Sequence, residues 1–173
     1  AASVLTGLFV GTNFVLFIHA RIAMLDVFMV AFLMLAAWMF AGALRENETA
    51  RWRLAIAGVA LGCAMASKWN AIPLAMLPGL AFLAARWTAG RRRLVMSARG
   101  APVRGMTLWE AGVWLGLVPL LVYAASYWPF LYWSVPGGDP SSLVDLHRHM
   151  LALQTQVPEA HPYQSQWWDW VIN

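Results

Sequence analysis

The sequence predicts an all-α protein, a polytopic bundle of about five transmembrane helices with one periplasmic amphipathic helix. Two observations predict this class. Of 173 residues, 61% are hydrophobic and only 12% are charged, whereas about a quarter of the residues in a soluble domain are charged. The charges also gather in short segments between long apolar runs. Intrinsic disorder, a soluble globular domain and, because Cys63 is the single cysteine, a disulfide scaffold are therefore excluded.

The apolar runs define the candidate spans, since a transmembrane helix needs about 20 predominantly apolar residues. They cover residues 2–18, 22–44, 53–68, 71–86 and 108–128. The third and fourth runs are short, and Lys68 is the only charge between them. A hairpin that turns at 67–70 is favoured over one long span, because a single span would place Lys68 near the membrane centre at a cost of about 2.5–3.5 kcal/mol.

The distribution of Lys and Arg predicts the orientation. In the hairpin topology, loops 45–53 and 86–107 share one face with nine Lys and Arg residues, against three on the other face, which are Arg21, Lys68 and Arg148. The positive-inside rule places the arginine-rich loops in the cytoplasm. We therefore expect a multi-pass protein of the plasma (inner) membrane with its active face external. The basic residues are orientation signals, so no nucleic-acid partner is predicted.

The second half of the chain predicts an external segment. The chain divides into membrane helices over 1–133, an external loop over 134–166 and the start of a further span at 167–173. One apolar stripe at helical spacing is formed by Leu143, Leu146, Met150 and Leu153. A serine at 141 or 142 is placed to cap this helix. We expect an amphipathic helix over 141–155 that lies on the membrane surface, and a chain that is an internal fragment of a longer one.

Three places on the predicted external face hold most of the unusual polar residues. They are His19, Arg21 and Asp26 at the start of the second span, Lys68, Trp69 and Asn70 in the hairpin turn, and His161, Tyr163, Ser165, Trp168 and Trp170 after the external loop. Ionisable residues in or at a membrane are costly, so a functional role is the default hypothesis. The topology predicts an active site at the membrane surface.

Arg21 and Lys68 are the candidates for binding an anion. The planar fork of an arginine binds two phosphate oxygens, and a lysine acts as a point charge. The alternative for both is an anchor at the membrane interface. Trp69 either lies against a sugar or belongs to an aromatic belt. Asp26 lies deeper and about 140° around the helix from Arg21, so we assign it a buried polar role that orients a helix or a cation.

The histidines do not predict a metal site. His147 and His149 lie about 200° apart on a helix with Arg148 between them, and His161 belongs to another segment. We expect no bound metal and no cofactor.

The three polar places resemble the motifs of one enzyme family. The matching pieces are the segment 20–26, ARIAMLD, which opens a span, the stretch 62–70 with its SKW core, and the segment 161–165, HPYQS, followed by Trp168 and Trp170. Their order and separation are similar to those of the protein O-mannosyltransferases, membrane enzymes of the lipid-phosphosugar-dependent (GT-C) class. One departure is Trp167, which stands where we expect a proline.

The resemblance implies an activity. It is the transfer of mannose from a polyprenyl-phosphate-mannose donor to Ser or Thr hydroxyls of an exported protein, with inversion at the anomeric carbon. Arg21 and Lys68 would hold the donor phosphate, and the loop 134–170 with its aromatic residues would cover donor or acceptor. The family's catalytic carboxylate sits in a first external loop, which would precede residue 1. We therefore name no catalytic base in this chain, and Asp26 does not take that role.

Two alternatives stay open. Within the same enzyme class, the sugar could be aminoarabinose or another sugar, and the acceptor a lipid or a glycan. In a different class, a transporter or a non-catalytic membrane subunit, the three residues Arg21, Asp26 and Lys68 would line a pathway or pair within the bundle. The HPYQS segment favours the protein mannosyltransferases. We expect the lipid bilayer, the lipid-linked donor and an acceptor protein as partners, in a bacterial membrane.

Overall fold

The computed structural model describes residues 2–14, 18, 24–89, 101–131 and 142–156. These parts of the chain are helical, which confirms the predicted all-α class. The chain divides into two compact units, Ala1–Ser126 and Tyr127–Asn173. The first unit contains the apolar helices, and each unit is described separately below.

Five helices of the first unit lie within the ranges that the structure describes continuously. They are α1 (Ala2–Gly11), α2 (Leu25–Arg45), α3 (Ala50–Ser67), α4 (Ile72–Thr88), which follows a 3₁₀ turn at Trp69–Ala71, and α5 (Leu108–Ser126). The predicted runs therefore each contain a helix. Among the described residues, three segments are long and apolar enough to cross a membrane: Leu25–Arg45, Trp69–Thr88 and Leu108–Ser126. The predicted number of five spans is not confirmed.

The third predicted span, α3, is less apolar than its neighbours because it occupies the centre of the bundle. Half of its 18 residues are buried, and most of these are alanine or glycine. A helix that is surrounded by other helices does not need large lipid-facing side chains, and small residues allow close approach of its neighbours. Helices α2 and α5 both pack against it.

Two glycines of α3 set its distance from α5. A Cβ atom at Gly58 would overlap the backbone oxygen of Trp114, and one at Gly62 would lie 2.6 Å from Val122 Cβ and 2.7 Å from the Pro119 oxygen. This spacing is the small-xxx-small pattern that brings membrane helices together. The two helices therefore meet backbone against backbone.

A π-helical segment, Val113–Leu117, interrupts α5 at this contact. The Val118 N–H donates to the oxygen of Val113, five residues earlier. Pro119 has no N–H to continue that pattern, so the Trp114 carbonyl lacks a donor five residues ahead. That carbonyl is the group that faces Gly58.

The contacts along the helices establish their directions. Helix α3 runs parallel to α5, because Arg51 pairs with Glu110 near the starts of both helices and Gly62 meets Val122 near their ends. Helix α4 runs antiparallel to α5, since a Cβ atom at Gly79 would lie 3.9 Å from Leu115 and the later Arg86 reaches back to the chain before α5.

Helices α3 and α4 therefore run in opposite directions, and the predicted hairpin is correct. Lys68 is extended (φ −159°, ψ 133°) and ends α3, and Pro73 lies in the first turn of α4. Proline is well tolerated there because the first helical N–H groups have no intrahelical acceptor.

One end of the first unit, which we call the arginine end, joins the two basic loops. Arg51 lies 2.6 Å from Glu110 and donates to the Gly105 oxygen at 2.8 Å. The backbone N–H of Arg104 donates to Asn47 Oδ1 at 3.3 Å. The loop before α3 and the described part of the second loop, residues 101–107, therefore share one end of the bundle, as the hairpin topology predicts.

Arg86 differs from the other basic residues of this end. The sequence groups it with the loop arginines that mark orientation, but its side chain is fully buried. Its guanidinium donates to the backbone oxygens of Ala101 and Met106. Arg86 therefore docks the segment before α5 onto the end of α4, because a guanidinium has five donors and an arginine can satisfy several carbonyls at once.

The second unit contains a 3₁₀ turn at Trp128–Leu131 and helix α6 at Leu143–Gln154. The Ser142 hydroxyl caps α6 by accepting from the Asp145 N–H at 3.2 Å, so the predicted helix and one of its two predicted caps are confirmed. Its apolar surface is wider than the predicted stripe, since Val144 and Leu151, which lie outside that stripe, are also exposed. Contact of α6 with a membrane surface stays a prediction, as do the predicted domain boundaries.

Candidate functional site

The end of the first unit opposite the arginine end, which we call the Lys68 end, brings three elements together. Asp26 lies in the first turn of α2, Lys68 and Trp69 lie between α3 and α4, and Tyr123 lies near the end of α5. Asp26 at the start of α2 contacts Lys68 at the end of α3, so these helices are antiparallel. Together with the parallel α3–α5 pair, this places the three positions at one end. Asp26, Lys68 and Trp69 belong to the external face that the sequence predicts.

An ion pair connects α2 to the α3–α4 junction. The Lys68 ammonium lies 2.7 Å from Asp26 Oδ1 and 2.9 Å from Oδ2. The two side chains are 38% and 30% exposed, so the pair is partly open to its surroundings. Asp26 sits where the partial positive charge of the α2 N-terminus stabilises a carboxylate. Lys68 is thus a cation that Asp26 contacts.

The Lys68 ammonium retains hydrogen-bonding capacity. An ammonium group has three N–H donors, and within the described part of the chain its partners are the two oxygens of Asp26. At least one donor is therefore available to a further acceptor. The net charge of the pair is zero. An anion would therefore bind here through the N–H group of Lys68 that points away from Asp26 and through any further cation close to the pair.

A second polar contact fixes the indole of Trp69. Its Nε1–H donates to the Tyr123 hydroxyl oxygen at 2.7 Å. Tyr123 packs against the apolar core of the bundle, so it holds the indole from a firmly placed helix. Asn70, the next residue in the 3₁₀ turn, is exposed.

Tyr123 was missed by the sequence analysis. A signal was present, because it is the only phenol in Leu108–Ser126. A tyrosine hydroxyl inside an apolar span requires a hydrogen-bond partner. The presence of one therefore indicates a second polar side chain nearby, although it does not identify that partner as Trp69.

The depth of the site follows from the helix rise. Three exposed tryptophans, Trp52, Trp87 and Trp109, lie at the arginine end. Lys68 follows Trp52 by 16 residues, which corresponds to about 24 Å along a helix. The hydrocarbon core of a bilayer is about 30 Å thick. If the tryptophans lie at one interface, as is usual, Lys68 lies near the other.

The remaining predicted site residues lie outside the described residues. They are His19, Arg21, His161, Tyr163, Ser165, Trp168 and Trp170. Of the predicted set, the structure thus places Asp26, Lys68, Trp69 and Asn70.

The histidines of α6 have local contacts. His147 Nδ1 lies 2.6 Å from the Leu143 oxygen, and its ring lies 5.0 Å from that of Tyr127. Within the described ranges, no group of three or more His, Cys, Asp or Glu residues is placed to hold a metal ion.

Comparison with known proteins identifies the family. The family model described as dolichyl-phosphate-mannose-protein mannosyltransferase matches residues 1–132. No curated protein and no solved structure matches the chain. The matched range contains the Asp26–Lys68 pair and the Trp69–Tyr123 contact, and it ends before the HPYQS segment. The match covers most of the chain, and the helices are those of a membrane protein. This chain therefore belongs to the dolichyl-phosphate-mannose-protein mannosyltransferase family and is a membrane glycosyltransferase.

Proposed function

We propose that this protein transfers mannose from a polyprenyl-phosphate-mannose donor to Ser and Thr hydroxyls of exported proteins, with inversion, and that Lys68 binds the donor phosphate. The observation that carries the proposal is the Asp26–Lys68 pair, in which an ammonium at one end of the helices is held in place and keeps one donor available. The family match supports protein mannosylation over transport as the general activity.

The chemistry explains why a cation belongs here. When the bond from the sugar to the phosphate breaks, negative charge develops on the departing phosphate oxygen. A fixed N–H donor stabilises that charge, and one such donor is typically worth about 10²–10³ in rate. In our proposal, Lys68 supplies a point charge and Arg21 a second, forked donor. A carboxylate base, which the family resemblance places before residue 1, takes the proton of the acceptor hydroxyl.

The other residues of the site have supporting roles in this proposal. Trp69, whose indole is oriented by Tyr123, is placed to lie against the sugar. His19, Asn70, His161, Tyr163, Ser165, Trp168 and Trp170 line the donor or acceptor groove. The arginine end faces the cytoplasm by the positive-inside rule, which puts the Lys68 end on the external face of the plasma membrane, where exported proteins are available.

The test is a transfer assay with the full-length protein in membranes. Mannose transfer from polyprenyl-phosphate-mannose to a Ser/Thr peptide is measured for Lys68→Met and for the double variant Asp26→Asn/Lys68→Met, which leaves no unpaired carboxylate. We expect kcat/KM to fall about 10²–10³-fold in both. Arg45→Ala, an exposed cation at the arginine end, is the control and is expected to retain the wild-type rate.

The outcomes separate the possible roles. Wild-type transfer in both Lys68 variants would reduce Lys68 to a structural anchor and overturn the proposed donor site. A peptide with alanine in place of Ser and Thr tests the acceptor, because it has no hydroxyl to receive the sugar. Equal transfer of other lipid-linked sugars would show that the donor is not restricted to mannose.

A further inference from the structure

We infer that Asp26 is a specificity-determining residue that weakens the binding of the spent lipid phosphate relative to the intact donor, and so promotes product release. The inference rests on the proposed function, because it concerns the phosphate that Lys68 is proposed to bind. It assigns to Asp26 a role apart from holding Lys68 in place.

The reaction changes the charge of the lipid-linked phosphate. A bond forms between the acceptor oxygen and the anomeric carbon, and the bond from that carbon to the phosphate oxygen breaks. The electron pair of the broken bond stays on the phosphate, and the hydroxyl proton passes to the base. The donor is a phosphodiester with one negative charge. The product is a phosphomonoester with about 1.5 to 2 negative charges at pH 7, since its second pKa is about 6.

This charge difference creates a problem for a purely cationic site. Lys68 and Arg21 alone would bind the product more tightly than the donor, because attraction grows with the charge of the phosphate. The product would then occupy the site and inhibit the next turnover. A site that turns over requires a charge that offsets this preference.

The geometry of the ion pair supplies that charge. The Lys68 ammonium bonds both oxygens of Asp26, at 2.7 and 2.9 Å. A phosphate oxygen that accepts the third N–H of a tetrahedral ammonium lies about 4–5 Å from a carboxylate oxygen that accepts another. The carboxylate therefore repels the bound phosphate at close range. The repulsion is greater for the product, because the product has more negative charge.

A purely structural counter-ion would behave differently. Asn in place of Asp26 keeps the shape and one hydrogen-bond acceptor for Lys68 but removes the negative charge. If Asp26 only positions Lys68, the substitution changes the binding of donor and product by similar factors. If Asp26 discriminates by charge, the product gains affinity more than the donor does.

The experiment compares inhibitors of different charge with the full-length protein in membranes. For the wild type and Asp26→Asn, the KM for polyprenyl-phosphate-mannose is measured together with the inhibition constants of polyprenyl phosphate and of its methyl ester. The methyl ester is a diester with one charge, like the donor. We expect Asp26→Asn to lower the inhibition constant of polyprenyl phosphate about tenfold, while the KM and the inhibition constant of the methyl ester change less than about threefold.

A second variant guards against an effect of misfolding. Asp26→Ser removes the same charge with a smaller side chain, so the ratio of the two inhibition constants has to shift in the same direction. Unchanged ratios in the variants that retain transfer would overturn the inference. That result leaves the donor site intact if Lys68→Met still loses transfer, whereas wild-type transfer in Lys68→Met would overturn the donor site and the inference together.

Discussion

The two ends of the first unit use their cations differently. At the arginine end, Arg86 is fully buried among backbone oxygens, and Arg51 contacts both Glu110 and the Gly105 carbonyl. These contacts connect loops to helices. At the Lys68 end, one ammonium contacts one carboxylate and keeps a donor available within the described part of the chain. The contacts of the arginine end hold the chain together, whereas those of the Lys68 end leave an N–H donor for the phosphate that we propose it binds.

The largest loss of stability is expected from a substitution that disrupts the arginine end. Arg86→Met removes the donors of the Ala101 and Met106 carbonyls inside the protein. Unsatisfied buried carbonyls cost about 1–3 kcal/mol each, so we expect a loss of about 3–5 kcal/mol in the free energy of unfolding. The loss of stability is measured by thermal unfolding in detergent, with gel filtration used to monitor the folded fraction. An unfolding temperature equal to that of the wild type would show that Arg86 does not hold the loop.

A smaller loss is expected when the packing of α3 against α5, between the two ends, is disturbed. Gly58→Ala pushes a methyl group into the Trp114 carbonyl, and we expect a destabilisation of about 1–3 kcal/mol, as for other overpacked sites. Gly112→Ala is the matched control, because nothing lies within 4 Å of a Cβ at Gly112. It is expected to be neutral or slightly stabilising. Equal unfolding temperatures for the two variants would contradict the close approach of α3 and α5.

A still smaller effect sharpens the description of the Lys68 end. Tyr123→Phe removes the acceptor of the Trp69 indole, which is worth about 1 kcal/mol. Because Trp69 is proposed to contact the sugar, we expect the KM for the donor to rise about fivefold. A double-mutant cycle with Trp69→Phe checks the reason, since coupled residues give effects that do not add. Additive effects would mean that the two side chains act separately.

The smallest effect concerns the exposed pair of the arginine end. The Arg51 side chain is 63% exposed and donates to the Glu110 carboxylate. Solvent screens the attraction in such an exposed pair, so the pair contributes little to stability. We expect Glu110→Gln to keep the unfolding temperature within about 2 °C of the wild type and to leave transfer unchanged. A large fall in unfolding temperature would show that the whole arginine end acts as one cooperative network.

Much of the fold was predictable because apolar length and charge position determine where membrane helices begin and end. The run 22–44 corresponds to α2, and the run 108–128 to α5, within a few residues. The hairpin at 67–70 was predicted from the cost of burying Lys68. The number of membrane spans was not predicted with the same certainty as the hairpin, because α3 is rich in small residues that suit a central helix rather than a lipid-facing one.

The site was predictable only in part. Topology placed Asp26 and Lys68 on one face, but their direct contact joins residues 42 positions apart. Such a contact depends on how each helix is rotated, and rotation is set by packing at positions such as Gly58 and Gly62. Hydropathy does not report that rotation. The burial of Arg86 was missed for the same reason, since a sequence shows a basic residue without showing which carbonyls surround it.

The π segment of α5 has a consequence for how one helix serves both ends. A π turn accommodates about one residue more than a regular turn, and one residue corresponds to about 100° around a helix axis. Val113–Leu117 lies between Glu110, which faces Arg51, and Tyr123, which faces Trp69. The extra residue therefore rotates the side chains that follow it around the axis of α5, relative to those that precede it. Deleting one residue there would leave Glu110 in register with its partner and turn Tyr123 away from the indole, so the spacing of these two side chains is encoded by the length of one turn.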